Sequence, residues 1–361
     1  MSDDSSDRIL DGRAWTDFCR ALEAAGQVVL RDSGPADAFD RAEGYRYLSR
    51  LTRVALETFI ETADPAFPTF RRPSHETVKI GADNPDNYYQ AATISGEYEY
   101  VIRGKRNTIY YLGLGTYYGN YAKGVERGQS GYLDSFEVGP DDRFEVTLSC
   151  DERPGNWLPI EPRSDLLIVR QSFQDRSAEQ TADLEIECVG GPSTPDPITP
   201  AFVDVGLQAA AAYVAGTANL FTDWSESFAR HDMQRLDPAV AAAAHGDPNI
   251  AYLYSSWELE PDEAFVIEVT PPACEYWNLQ VNNHWMESLD YRWHRIALNH
   301  HEAVLEADGS VRIVVAHEDP GVPNWLETAG HRRGNVCLRW VGAKEHPVPA
   351  VRVVKRAGLH A

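Results

Sequence analysis

A unit that occurs twice along the chain constrains its fold more than any other feature. Arg143-Phe144-Glu145-Val146-Thr147-Leu148-Ser149-Cys150 runs into Asp151-Glu152-Arg153-Pro154-Gly155-Asn156-Trp157-Leu158. Ser310-Val311-Arg312-Ile313-Val314-Val315-Ala316-His317 runs into Glu318-Asp319-Pro320-Gly321-Val322-Pro323-Asn324-Trp325-Leu326. Each turn leads to an apolar segment ending in arginine, Leu166–Arg170 and Asn335–Arg339. Upstream, Tyr100-Val101-Ile102 followed by Thr108-Ile109-Tyr110-Tyr111 parallels Phe265-Val266-Ile267 followed by Cys274-Glu275-Tyr276-Trp277. A chain that repeats an ordered series of strands and turns builds the same supersecondary unit twice. In the turn, Pro and Gly set the reversal, Asn can bond the turn backbone, and Trp with Leu can close the end of a sandwich. The competing reading of the repeated Trp is a ligand-gripping side chain.

The texture around the repeat fits. Short segments rich in Val, Ile, Tyr and Thr lie at Tyr88–Ile102, Thr108–Tyr118, Arg143–Cys150, Leu166–Phe173 and Leu184–Val189, punctuated by Gly, Pro, Asn and Asp. Such spacing predicts an antiparallel sandwich. Helical periodicity occupies Ala14–Ala25, the stretch from Asp37 to Phe59, and Pro200–Ala244. The expected architecture is mainly β with helical additions. Two tandem jelly-roll-like antiparallel β-sandwich domains, 80–190 and 247–361, are joined by a linker and helical connector, 191–246, and preceded by a helical region, 1–79.

Asn84-Pro85-Asp86 with Tyr88-Tyr89, the strand Tyr100–Gly104, Tyr276-Trp277-Asn278-Leu279-Gln280, and Asp308-Gly309-Ser310 leading to the Asn324-Trp325-Leu326 turn resemble the bacterial family called domain of unknown function 1214, DUF1214. The resemblance runs from about Asp40 to Val341. It implies paired jelly-roll-like domains joined by helices. It implies no reaction and assigns no catalytic residue.

Charge and motifs exclude several functions. The 55 acidic residues outnumber 33 basic ones, giving a net charge of −22; that opposes binding to nucleic-acid phosphates and to anionic membranes. The five cysteines are odd in number and scattered, without CxxC spacing, which fits a reducing compartment. With an acidic start at Met1–Asp7 and no long apolar run, the expectation is a cytoplasmic protein without membrane insertion. GxSxG, GxxxxGK[ST] and GxGxxG are missing, as are HExxH and HxxxH. No nucleotide cofactor and no metal is therefore expected, although His300-His301-Glu302 and His317-Glu318-Asp319 gather suitable residue types.

Candidate site residues come from where the two halves differ. Read as a strand, Tyr276–Trp285 puts Asn278, Gln280, Asn282 and His284 on one face. Amides are poor strand formers, so that face is either a polar pocket wall or a surface meeting water. The corresponding first-half segment carries Tyr110 and Tyr117. The segment His284–Arg295 concentrates His, Asp, Glu, Tyr and Arg; His284, Asp290 and His294 are its candidate acids and bases. The expected catalytic set is thus His284, Asp290 and His294, with Tyr110, Tyr117, Trp277, Asn278, Gln280 and Asn282 binding the ligand. The leading expectation is an enzyme of hydrolase or lyase type acting by general acid–base chemistry on a small hydroxylated or lipidic metabolite. The alternative is a non-catalytic carbohydrate- or lipid-binding module. Self-association through exposed edge strands is a third reading.

Overall fold

The computed structural model describes residues 2–359. It opens with three helices, α1 (Ser2–Leu10), α2 (Arg13–Ala25) and α3 (Ala38–Leu56). The carboxylate of Asp37 caps α3 by accepting from the backbone N–H of Asp40 at 2.9 Å. The long helix α4 (Pro200–Ser227) starts where Thr199 accepts from Phe202 N–H and Pro200 takes the first turn, where its missing donor costs nothing. By length and composition α4 could cross a membrane. In this fold it is a strut against α1, α2 and α3, with Ala210, Val214 and Ala218 in their shared core. The single helical stretch expected over 200–244 is divided. The chain turns extended at Phe228, lays Gln234–Arg235 (β9) beside a strand, and resumes as α5 (Pro238–Ala243).

The first half contains β1 (Asn87–Thr93), β2 (Glu99–Lys105), β3 (Tyr111–Tyr118), β4 (Gly128–Leu133), β5 (Arg143–Ser149), β6 (Trp157–Pro159), β7 (Leu166–Ser172) and β8 (Asp183–Val189). The second half contains β10 (Ile250–Glu258), β11 (Glu263–Val269), β12 (Tyr276–Asn282), β13 (Ala297–Asn299), β14 (Val311–Ala316), β15 (Trp325–Glu327), β16 (Arg333–Val341) and β17 (Ala350–Lys355). Sheets β1-β7-β3-β4 and β6-β5-β2-β8 enclose the first core; β10-β16-β12-β13 and β15-β14-β11-β17 enclose the second, with β9 on the β10 edge. The chain is mainly β, and the two halves have the same strand order. The repeated turn is structural in both. Asn156 Nδ2 donates to Glu145 O at 3.0 Å and Asn324 Nδ2 to Arg312 O at 3.0 Å. Trp157 and Trp325 each donate their indole N–H to the end of the preceding strand, at Ser149 O and Ala316 O.

Pairing registers fix the equivalences. Val101 pairs with Thr147 as Val266 pairs with Val314, and Gly113 with Arg170 as Asn278 with Arg339. The expected match of Tyr110 to Tyr276 is therefore one residue out: Tyr111 is the counterpart. A slip of one residue exchanges the two faces of a strand, so Tyr110 leaves the wall it was assigned to. The strand expected over Tyr276–Trp285 also ends early, at Asn282. Asn283 Oδ1 accepts from Trp285 N–H and Glu287 N–H, and Met286 adopts a left-handed φ of 54°. His284 thus sits in a turn and is not part of the amide face.

Strand alternation decides what faces what. Leu167 and Val169 enter the first core while Ile168 and Arg170 face out; Ala251 and Leu253 enter the second while Tyr252 and Tyr254 face out. The outward faces of β1-β7 and β10-β16 meet between the halves, with α3 and α4 over them. The candidate site lies there.

Candidate functional site

A cavity of about 290 Å³ lies between the two halves. Tyr89 and Ala91 on β1, Ile168 on β7, and Tyr252 and Tyr254 on β10 form one part of its wall; Val54 of α3, Thr58 in the π-helical turn that follows it, and Tyr213, Phe221 and Trp224 of α4 form another. The wall is mostly aromatic and aliphatic, which suits a small organic ligand.

Two equivalent loops frame the cavity and each belongs to the opposite half's hydrogen bonding. They are Ala82-Asp83-Asn84-Pro85 before β1 and His245-Gly246-Asp247-Pro248 before β10. Asn84 N–H donates to the Tyr89 hydroxyl at 3.0 Å, and Asp247 N–H to the Tyr252 hydroxyl at 3.2 Å. Arg170 Nη2 of the first half donates to His245 O; Arg339 Nη2 of the second half donates to Ala82 O. Tyr111 donates to the Asp247 carboxylate at 3.1 Å, and its counterpart Tyr276 donates to Asp86. The halves are thus clasped by exchanged contacts, with the arginines at the centre.

The electrostatics of the cavity are unusual. Arg71, Arg170 and Arg339 line it and are only 6%, 7% and 3% exposed. Among the described residues no carboxylate lies within 4.0 Å of any of these guanidinium groups. Their partners are neutral: Thr58 and Thr93 hydroxyls for Arg71, the Tyr117 hydroxyl at 2.8 Å for Arg170, and Gln280 Oε1 at 2.6 Å for Arg339. Burial lowers the pKa of Arg71, whereas those of Arg170 and Arg339, despite burial, are raised by their surroundings, the Asp247 carboxylate contributing for Arg170. Two acids also line the cavity, but each is engaged elsewhere. Asp83 accepts from Ser288 N–H and Oγ–H at 3.1 and 2.9 Å, and Asp165 from Gly119 N–H at 3.0 Å. His245 is 4% exposed, its ring set between Tyr117 and Tyr121 at 5.0 and 5.4 Å, and among the described residues its Nε2 has no hydrogen-bond partner. Burial, with help from Arg170 and Arg127, lowers its pKa to about 4.

None of the residues expected from sequence to form the site lines this cavity. His284, Asp290 and His294 are not brought together there. His284 is buried against Trp285, with Nε2 3.7 Å from Glu226. Asp290 forms a surface pair with Arg292, and His294 bonds Glu327 at 2.9 Å across to β15. Trp277 belongs to the second core, on the opposite face of β12 from the amides. Tyr110 is exposed and donates to Glu275 O at 2.7 Å. The amide face proves to be neither a pocket wall nor a wet surface. Asn278, Gln280 and Asn282 are fully buried at the junction of the halves. Asn278 Nδ2 donates to Asn84 Oδ1 at 2.7 Å and Gln280 Nε2 to Asp83 O at 2.9 Å, so they hold the first-half loop and Arg339 in place. Tyr117 does the same for Arg170. Sequence reasoning missed the arginines as site residues, although the signal was present: each half puts one Arg at the end of an apolar strand.

The sequence profile of a family described as a protein of unknown function, DUF1214, matches residues 255–345. A crystal structure of an uncharacterised protein from Burkholderia cenocepacia is 48% identical, with a TM-score of 0.96 over 98% of this chain and 99% of that one. A protein from Vibrio parahaemolyticus is 14% identical with a TM-score of 0.50, covering 87% of this chain and 98% of its own, a likeness of fold alone. Comparison with curated proteins gives no match.

Proposed function

We propose that this chain, which resembles the DUF1214 family over residues 255–345, binds a small organic acid in the cavity between its two halves. The observation that carries this reading is the set of three buried arginines without carboxylate partners, Arg71, Arg170 and Arg339. A buried charge without a counter-charge is costly. An incoming anion would relieve that cost, and the guanidinium fork suits the two oxygens of a carboxylate. The aromatic and aliphatic wall would cover the ligand's apolar body, and about 290 Å³ matches a ligand the size of a substituted aromatic acid. Hydrolase or lyase chemistry at His284, Asp290 and His294 forms no part of this reading, because none of them borders the cavity.

Calorimetry with phenylacetate and 3-phenylpropionate, beside inorganic phosphate, tests it. Binding of the carboxylates to the wild-type protein, weakened at least about tenfold in Arg71→Met, is expected. Absence of binding by any carboxylate, or unchanged affinity in Arg71→Met, overturns it. Binding of inorganic phosphate alone would point to an inorganic anion site instead.

A further inference from the structure

We propose that His245 recognises a hydroxyl group on the ligand, so that the cavity's ligand is a hydroxy acid; this rests on the organic-acid reading above. The argument starts from the repeat. His245 and Ala82 hold the same place in the two framing loops, each with its carbonyl accepting from the other half's arginine. Both adopt left-handed backbone, with φ of 58° and 57°. Residues other than glycine are uncommon in that region, with Asn, Asp and His the most frequent exceptions. Alanine meets the requirements of the position in the first half, so the fold does not need an imidazole there. The ring is an addition, and it lines the cavity.

The protonation state of the ring defines what it can read. Among the described residues Nε2 has no hydrogen-bond partner. The imidazole is neutral at physiological pH, since its burial strongly disfavours the charged form. In the neutral ring Nε2 is either an acceptor or an N–H donor, and it is buried and unused. A ligand hydroxyl both donates and accepts, so it pairs with Nε2 in either tautomer and remains uncharged in the apolar surroundings. Arg170 is anchored to the carbonyl of this same residue, so an acid group on the arginine and a hydroxyl on the imidazole belong close together on one ligand.

Matched ligand pairs test this. Calorimetry compares 3-phenyllactate with 3-phenylpropionate, and mandelate with phenylacetate, on the wild-type protein and on His245→Ala, the residue the first half already carries at this position. The hydroxy acid of each pair is expected to bind the wild-type protein at least about tenfold more tightly than its deoxy partner, since a site built around a hydroxyl rejects the analogue lacking it. In His245→Ala that preference is expected to vanish, the hydroxy and deoxy acids of each pair binding alike. Equal binding within each pair on the wild-type protein, or a preference that survives in His245→Ala, overturns the hydroxyl proposal and leaves the organic-acid reading standing. Failure of all four acids to bind overturns both.

Discussion

Arg170 and Arg339 occupy the same position in the repeated unit, and each donates to a loop carbonyl of the other half, at His245 and at Ala82. The pair therefore serves as clasp between the halves as well as cation in the cavity. Arg339→Met would strand the Ala82 carbonyl, Asn278 Oδ1 and Gln280 Oε1, all buried. The expected cost is about 2–4 kcal/mol, read from urea unfolding. Arg71 bonds only threonine hydroxyls, which can rotate to new partners. Arg71→Met is expected to leave stability unchanged or raised, since it removes an unpaired buried charge. A loss of stability in Arg71→Met equal to that in Arg339→Met would contradict this division of roles.

Acid should weaken the fold in a defined window. His245 and His284 both have pKa values lowered from 6.5 to about 4, chiefly by burial. Between those limits the unfolded chain binds more protons than the folded one, so stability rises with pH there. The contribution is complete above pH 6.5 and is lost as pH falls to about 4. The Asp290 carboxyl, held at about 2 by hydrogen bonding to Arg292, adds a loss of the same sign at still lower pH. Because Asp83, Asp86, Asp165 and Glu287 have raised values and act with the opposite sign, the measure is the difference between wild type and His245→Ala in urea midpoint at pH 7, 5.5 and 4.5. The wild-type protein should lose more stability than His245→Ala as pH falls through this window, and an equal loss in both would refute the assignment.

The repeated turn allows a paired comparison. Asn324 is 3% exposed and binds the Val304 and Arg312 carbonyls at 2.7 and 3.0 Å. Asn156 makes the matching bonds to Glu137 and Glu145 at 2.8 and 3.0 Å from a more open position. Both alanine substitutions should destabilise, Asn324→Ala by about 2–3 kcal/mol and Asn156→Ala by about 1. Water can replace the lost bonds only in the first half. The reverse order in thermal unfolding would show that burial does not set the cost.

Gly216 on α4 should resist the change that helix propensity favours. Alanine in place of glycine usually stabilises a helix interior by about 1 kcal/mol. Here an added Cβ would lie 2.0 Å from the Tyr121 carbonyl oxygen and 2.6 Å from its carbonyl carbon, and backbone cannot step aside cheaply. Gly216→Ala should lower the melting temperature and disturb Tyr121, whose ring packs on Phe221 and lines the cavity. A raised melting temperature would mean that α4 sits further from this loop.

Asp290→Asn and His294→Ala should leave the affinity of any cavity ligand within about twofold, because neither side chain borders the cavity. Calorimetry with the tightest acid of the panel measures this directly. A tenfold loss in either variant would restore these residues to the site.

The legible parts of the fold were those written locally. Alternating apolar strands and the Asn-Trp-Leu turns act over a few residues, so their signals are complete within a short window. One register was misjudged, at Thr108–Tyr118, because β3 carries Gly113 and Gly115 where β12 carries Asn278 and Gln280, and the apolar pattern there does not fix the frame. The amides were rightly marked as unusual in a strand, yet the reason lay in the opposite half, in Asn84 and Asp83.

By itself the sequence determined that one β unit would be made twice, about where most of its strands would fall, and that each copy would carry an arginine near the end of a core strand. Only the tertiary structure decided that Arg170 and Arg339 face one cavity, and that His284, Asp290 and His294 do not share it. The reason is physical. Strand periodicity tells which side chains leave their own core, but what they meet depends on how two finished sandwiches pack, and that is set by loops exchanged between residues far apart in the chain.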